Sequence, residues 1–235
     1  MRIYLLRHGE SEANMEGVIS EDPAHPYPLT PMGIAHAEVV AEELREVPFT
    51  HIYVSEHVRT RETAEILVQA WLEGNDQGKK EASEEEAVIE VEVDGVEPAP
   101  PKHAKFPISV DARLNERHSG MEGQPVGNFN SLVKPDPVNI KPEGGESFRE
   151  QMERLRAFMD QVAERHVDCT VLAVSHEDPI LAAQAVAGRS PEEAARGDIA
   201  NCEWVMIEWP PAEKTGKNGS NGGGARQVEG ENKSG

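Results

Sequence analysis

Residues 2–10 read Arg2-Ile3-Tyr4-Leu5-Leu6-Arg7-His8-Gly9-Glu10. The stretch 2–6 is short and rich in β-formers, and it passes without a spacer into charged and small residues. It therefore predicts a buried strand that opens directly onto a polar turn. The pattern recurs at 170–174, which leads into Ser175-His176-Glu177-Asp178, and at 50–54, which leads through Ser55 to Arg59. Helical patterns lie between these strands. Thr30 reads as an N-cap with Pro31 at the first helical position and an apolar face through Ile34, Ala37, Val40, Ala41 and Leu44, ending near Val47 or Pro48. Further helices are predicted from 59–67, across 147–165, and through Ala182, Ala183, Ala185 and Val186, with a last strand at 203–209. Strands alternating with helices predict the α/β class: a three-layer α/β/α sandwich around a mostly parallel central sheet.

The chain has 235 residues, 37% hydrophobic and 28% charged, with a mean hydropathy of -0.57. That supports one globular domain, expected over residues 1–209. Two stretches fall outside the strand and helix rhythm. From Glu73 to Glu97 ten acidic residues face only Lys79 and Lys80, and Pro-rich sequence follows to Pro101. An acidic, low-complexity insertion over about 73–101 is expected, with a short strand at 88–93. The stretch 210–235 holds seven glycines and almost no large apolar side chain, so a disordered Gly/Asn-rich tail is expected there.

With 43 acidic residues against 23 basic ones, the net charge of -20 argues against nucleic acid as a partner. Small anions are not excluded, because a few converging donors in a cleft outweigh a distant field. Cys169 and Cys202 are too few for a disulfide framework or a zinc cluster. Arg7 and His8 interrupt the opening apolar run too early for a signal peptide, and no later segment approaches the roughly 18 apolar residues of a membrane helix. A cytoplasmic protein without a membrane partner is expected, and its oligomeric state is left open.

In an open α/β sheet, ligands bind beyond the carboxyl ends of the strands, where Arg7, His8, Arg59 and His176 would converge. Such a cluster suits phosphoryl transfer. Guanidinium groups match phosphate oxygens, one neutral imidazole can attack phosphorus, and a second can stabilise the equatorial oxygens. Ser175 beside His176 suggests a serine nucleophile, but no Gly-x-Ser-x-Gly elbow is present. His25, His57 and His118 have no zinc spacing, so neither metal nor cofactor is expected. Asp178 reads as a turn or cap acid before Pro179.

Arg7-His8-Gly9-Glu10-Ser11-Glu12-Ala13-Asn14 resembles the signature of the histidine phosphatase superfamily, which includes phosphoglycerate mutases and many phosphatases. Similar blocks follow in the family's order: Leu29-Thr30-Pro31-Met32-Gly33, Ser55 to Ala64 with Arg59 and Thr63, Leu114 to Gly120, Gly144 to Phe148, and Val174-Ser175-His176. The resemblance spans residues 1 to about 209 and implies a phosphoglycerate mutase-like fold. It also implies that His8 is the nucleophile that becomes phosphohistidine, and that Arg7, Arg59 and His176 form the phosphate pocket with Asn14 as a further donor. Glu116 would be the proton donor and then the general base. Arg61 and Arg117 lie beside matched positions and are expected to face solvent or form ion pairs.

Three departures bear on the activity. Mutases of this family hold their carboxylated substrate with additional basic residues, but 121–146 contains only Lys134 and Lys141, and Ser119 stands where a tyrosine is usual. Hydrolysis of a small-molecule phosphomonoester is therefore expected, with mutase-type transfer or an inactive phosphate-binding or protein-interaction module as alternatives. Glu177 replaces a glycine that often follows the second histidine. It either narrows the pocket and adds negative charge or points into solvent.

Overall fold

The computed structural model describes residues 1–76 and 107–211. Apart from the first residues of the acidic stretch, which continue a helix, and Pro210 and Pro211, the predicted insertion, its strand and the tail lie outside the described residues. In chain order the elements are β1 (Arg2–Arg7), α1 (Glu12–Glu16), α2 (Pro31–Glu43), β2 (His51–Val54), α3 (Val58–Asp76), β3 (Ile108–Val110), α4 (Val126–Val133), α5 (Phe148–Arg165), β4 (Thr170–Ser175), α6 (Glu177–Val186), α7 (Pro191–Ala194) and β5 (Trp204–Glu208). The strand order is β3-β2-β4-β1-β5. β1, β2, β3 and β4 pair in parallel, and only β5 runs antiparallel to its neighbour. The predicted α/β sandwich with a mostly parallel sheet is the observed fold.

The pleat of the sheet explains why its central strands read as unbroken apolar runs. Ile3, Leu5, Tyr53, Val171 and Ala173 face one layer, with Phe158 and Met159 of α5 and Ile180 of α6. The alternate residues Leu6, Ile52, Val54, Leu172 and Val174 face the other, with Val40 of α2 and Leu67 of α3. A strand buried on both faces has no polar side to show. On α2 the predicted face holds at Ala37, Val40, Ala41 and the capping Leu44, but Ile34 is 41% exposed and belongs to the outer surface. The pattern also missed α1, α4 and α7, and the three-residue β3.

The loop after β1 is fixed by a close backbone approach to the start of α2. Thr30 caps α2 by accepting from the Gly33 N–H at 3.1 Å. Its own N–H donates to the Glu10 carbonyl at 2.9 Å, and its hydroxyl donates to the Glu10 carboxylate at 2.7 Å. A Cβ on Gly9 would lie 2.6 Å from the Gly33 carbonyl oxygen, and one on Gly33 would overlap the Glu10 backbone. Neither neighbour is a flexible side-chain tip, so the overlap has no inexpensive relief. Gly33→Ala is expected to destabilise the protein by about 1–3 kcal/mol. Urea denaturation checks this, and a change within experimental error would contradict the close approach.

Candidate active site

The carboxyl ends of β1, β2 and β4 meet at one place. Register pairs Arg7 with Ser175, and the His8 N–H continues the ladder to the Ser175 carbonyl at 3.0 Å. Beyond these ends lies a cleft of about 180 Å³, lined by Arg7, His8, Asn14, Arg59, Glu116 and Glu177 among others. A larger hollow of about 370 Å³ at His25, Tyr27 and Glu122 is more open and holds neither an arginine nor any of the strand-end residues. The strand-end cleft is therefore the candidate site.

Arg59, at the start of α3, is 4% exposed and ties the two predicted histidines together. Its Nε donates to His8 Nε2 at 3.1 Å, and its Nη2 donates to His176 Nδ1 at 3.1 Å. Ser20 takes further bonds, at 3.0 Å on its hydroxyl and 2.9 Å on its carbonyl. A guanidinium has no acceptor, so each imidazole must offer a lone pair to it. His8 therefore carries its proton on Nδ1, which donates to the Gly9 carbonyl at 2.7 Å. His176 carries its proton on Nε2, which donates to Ser55 Oγ at 2.9 Å. Ser55 in turn donates to Thr60 Oγ1 at 2.9 Å, and Thr60 donates to the His57 carbonyl at 2.8 Å. Thr63 completes the scaffold by accepting from the Gly9 N–H at 3.1 Å and donating to the Arg59 carbonyl at 2.7 Å.

Burial, then the positive charges of Arg59 and Arg7, hold His8 well below its ordinary 6.5. Burial and Arg59 do the same to His176. Both rings are therefore neutral at physiological pH. Burial lowers Arg59 to about 10, which leaves it charged. The Nε of Arg7 is buried and has no partner among the described residues.

Glu116 comes to the cleft on the loop after the turn at Ala112–Leu114. Arg154 of α5 holds that loop by donating to the Glu116 carbonyl at 3.2 Å, and the Arg117 N–H donates to the Glu116 carboxylate at 2.8 Å. The Gly144 to Phe148 block serves the same loop. Gly145 packs under His118 and Ser119, the Glu146 N–H donates to the His118 carbonyl at 2.8 Å, and Ser147 caps α5. Burial, then the neighbouring charge of Asp178, push Glu116 up to about 7.

The cleft therefore gathers Arg7, His8, Arg59, Glu116 and Asn14, while His176 lies fully buried with its ring centroid 5.0 Å from that of His8. The Asn14 carbonyl oxygen closes the turn at Ser11, accepting from its N–H at 3.0 Å. Ser175, weighed as a nucleophile, donates to the Leu114 carbonyl at 2.6 Å and is structural.

Four residues have a larger part than the sequence indicated. Arg117 is 5% exposed, lines the cleft and pairs with Asp178 at 3.6 Å. Asp178 lines the cleft as well as standing in the first turn of α6. Glu177 points into the cleft, with its carboxylate 2.9 Å from Arg7 Nη1. His57 packs its ring 4.7 Å from His176, and neither ring nitrogen reaches a partner in hydrogen-bond geometry. Burial and Arg59 lower it to about 3, offset in part by the Glu21 backbone. For Arg117, Asp178 and His57 the sequence signal was nearness to Glu116, His176 or Arg59; for Glu177 it was also the departure from glycine, and the pocket-facing of its two expected directions is the one observed.

A parallel sheet with arginines and histidines gathered at its carboxyl edge defines an α/β protein with an anion-binding type of cleft. The model of the histidine phosphatase superfamily (branch 1) matches residues 3–97 and 93–218, and the chain belongs to that superfamily. It is 43% identical over 76 residues to the adenosylcobalamin/alpha-ribazole phosphatase of Salmonella typhimurium, a match covering 32% of this chain and 35% of that protein. The matched part is thus about a third of that relative's length. It is 30% identical over 186 residues to the probable phosphoglycerate mutase GpmB of Klebsiella pneumoniae subsp. pneumoniae, covering 75% of this chain and 69% of that one. Among solved structures, Bacillus stearothermophilus YhfR shares the fold, with a TM-score of 0.66 at 24% identity over 88% of this chain and 90% of that one.

The raised value of Glu116 has a consequence for stability. Between its unfolded value near 4.5 and about 7, the folded protein holds a proton that the unfolded chain releases. The contribution of the neutral carboxyl is complete below about 4.5 and is lost as pH rises through about 7. Glu116→Gln keeps a neutral group there and is expected to melt about 5–10 °C above the native protein at pH 8.5, with the gap closing toward pH 4.5. Thermal melts across that range check it. A gap independent of pH would contradict the assignment.

Proposed function

We propose that the protein hydrolyses small-molecule phosphomonoesters through a phosphohistidine at His8. The observation that carries this reading is the unprotonated Nε2 of a buried, neutral His8, whose lone pair accepts from Arg59 before a substrate arrives. It sits at the floor of a cleft, held 3.1 Å from Arg59 Nε and backed by a proton on Nδ1. Arg7, which lines the cleft, supplies a guanidinium for a phosphoryl oxygen. Arg59 lines the cleft as a second guanidinium for the phosphoryl oxygens, and His176, with its N–H on Ser55 and its lone pair on Arg59, positions that guanidinium.

In the first step Arg59 turns its Nε–H from His8 to a phosphoryl oxygen, the freed His8 Nε2 lone pair bonds to phosphorus, and the ester P–O bond breaks as its electron pair leaves with the alcohol oxygen. The Glu116 carboxyl gives that oxygen its proton, which a value near 7 makes available. In the second step the Glu116 carboxylate takes a proton from water while the water oxygen bonds to phosphorus and the P–N bond breaks. Orthophosphate leaves and both residues return to their starting states.

Hydrolysis is favoured over mutase-type transfer because, among the described residues, the cleft is lined by no Lys or Arg beyond Arg7, Arg59 and Arg117 with which to grip a carboxylated substrate. The free thiols Cys169 and Cys202 support a cytoplasmic setting.

Rapid acid quench followed by intact-mass measurement, with aryl and alkyl phosphates, tests the reading. A transient gain of one phosphoryl group, absent in His8→Ala and followed by free phosphate, is expected. Near-native turnover by His8→Ala would overturn the assignment. Glu116→Gln is expected to slow alkyl phosphates at least tenfold more than activated aryl phosphates, since only the former need a proton on the leaving oxygen. For alkyl esters, native kcat/KM should fall above about pH 7 as Glu116, coupled to Asp178, loses its proton. Equal losses for both ester classes would remove Glu116 from the proton-donor role.

A further inference from the structure

Glu177 is the first residue of α6, next in the chain to His176. Its carboxylate pairs with Arg7 Nη1 at 2.9 Å, and the Ile199 carbonyl takes a bond from the same nitrogen. Arg7 Nη1 is therefore engaged before a ligand arrives. The remaining cations of the cleft are also engaged. Arg59 donates to His8, Ser20 and His176. Arg117 pairs with Asp178 and donates to the carbonyls of Glu146 and Ile140.

Three carboxyl groups, Glu116, Glu177 and Asp178, thus stand against three arginines in one cleft before any substrate arrives. The phosphoryl group brings further negative charge and competes with these carboxyl groups for the arginines. A second anionic group on the substrate would then meet carboxylates and, among the described residues, no cation that is not already engaged. The rest of the lining includes the apolar Ile19, Val126 and Phe129, which suit an uncharged carbon skeleton. A cationic group would be drawn to Glu177 and Asp178.

We propose that Glu177 is a specificity-determining residue that directs this cleft to monophosphates with an uncharged or cationic leaving group and turns away those with a second anionic group beside the phosphate. This rests on the phosphatase reading and names its substrate class. Burial raises the Glu177 carboxyl to about 8 against the pull of Arg7, with Glu116, Asp178 and a hydrogen bond to the Asp198 side chain adding to the rise. The test is therefore run at pH 8.5, where Glu177 is ionised.

The probes are 2-aminoethyl phosphate, 2-hydroxyethyl phosphate and phosphoglycolate, which are similar in size and differ in the charge of the leaving group. The native protein is expected to rank them in that order by kcat/KM. Glu177→Gln, which keeps the shape, is expected to shrink the aminoethyl-to-glycolate ratio about tenfold, the scale of losing one nearby charge. The rate lost to Glu116 ionisation cancels in this ratio. Glu177→Gly serves as a second variant should Glu177→Gln fold poorly. Calorimetric binding of orthophosphate, which needs no turnover, is expected to tighten about fivefold in either variant.

Turnover with the ratio unchanged would overturn the proposal, as would native preference for phosphoglycolate. Tighter orthophosphate binding in the variants with no turnover of any ester would instead overturn the phosphatase reading and leave the charge role of Glu177 standing.

Discussion

A single guanidinium holds this site in one state. Arg59 donates to both imidazoles and to Ser20, and because it can only donate, it dictates where each ring keeps its proton. The Nδ1 proton of His8 then requires an acceptor, which the Gly9 carbonyl supplies. That requirement explains the tight path through Gly9 and the bare backbone at Gly33 beneath it. The Nε2 proton of His176 likewise requires Ser55, whose hydroxyl is closed by Thr60. Buried polar groups are inexpensive only when all of them are satisfied, and this network leaves its two reactive imidazoles neutral and paired. The His57 ring nitrogens and Arg7 Nε, beside them, reach no partner in hydrogen-bond geometry among the described residues.

The sheet supplies the second constraint. Side chains alternate across the pleat, so Ile3 and Leu5 face the α5 and α6 layer while Leu6 faces α2 and α3. Carried past the strand end, the same alternation takes Arg7 to Glu177 at the start of α6 and His8 to Arg59 at the start of α3. The two adjacent residues thus meet partners from opposite layers. One cleft receives contributions from both faces of the sheet because it lies at its edge.

Much of this was readable from residue order. Apolar runs ending in Arg7-His8, in Ser55 and in Ser175-His176 located three strand ends, and in a parallel sheet strand ends converge. The Thr30-Pro31 start of α2 and the Ser147 cap of α5 were equally plain, since capping is a local property. Other parts left no local signal. β3 has three residues and gains its identity only by pairing with β2. In α4, Val126 and Phe129 line the cleft rather than the core, so no core-facing period marks the helix. The direction of Glu177 depends on a partner 170 positions away in the chain, which no local pattern encodes. Ile34 fitted the apolar period of α2 yet is exposed, because the period defines a stripe and the packing of α3 decides its width.

The account depends on His8 being a neutral imidazole with its proton on Nδ1 and a bare Nε2. Long-range nitrogen–proton correlation spectra of the protein with 15N-labelled histidine, assigned through His8→Ala, read that state directly between pH 6 and 8. The account predicts a protonated Nδ1 and an unprotonated Nε2 throughout. A proton on Nε2, or an imidazolium at pH 7, would contradict it, because the nitrogen facing Arg59 would then have no lone pair with which to attack phosphorus.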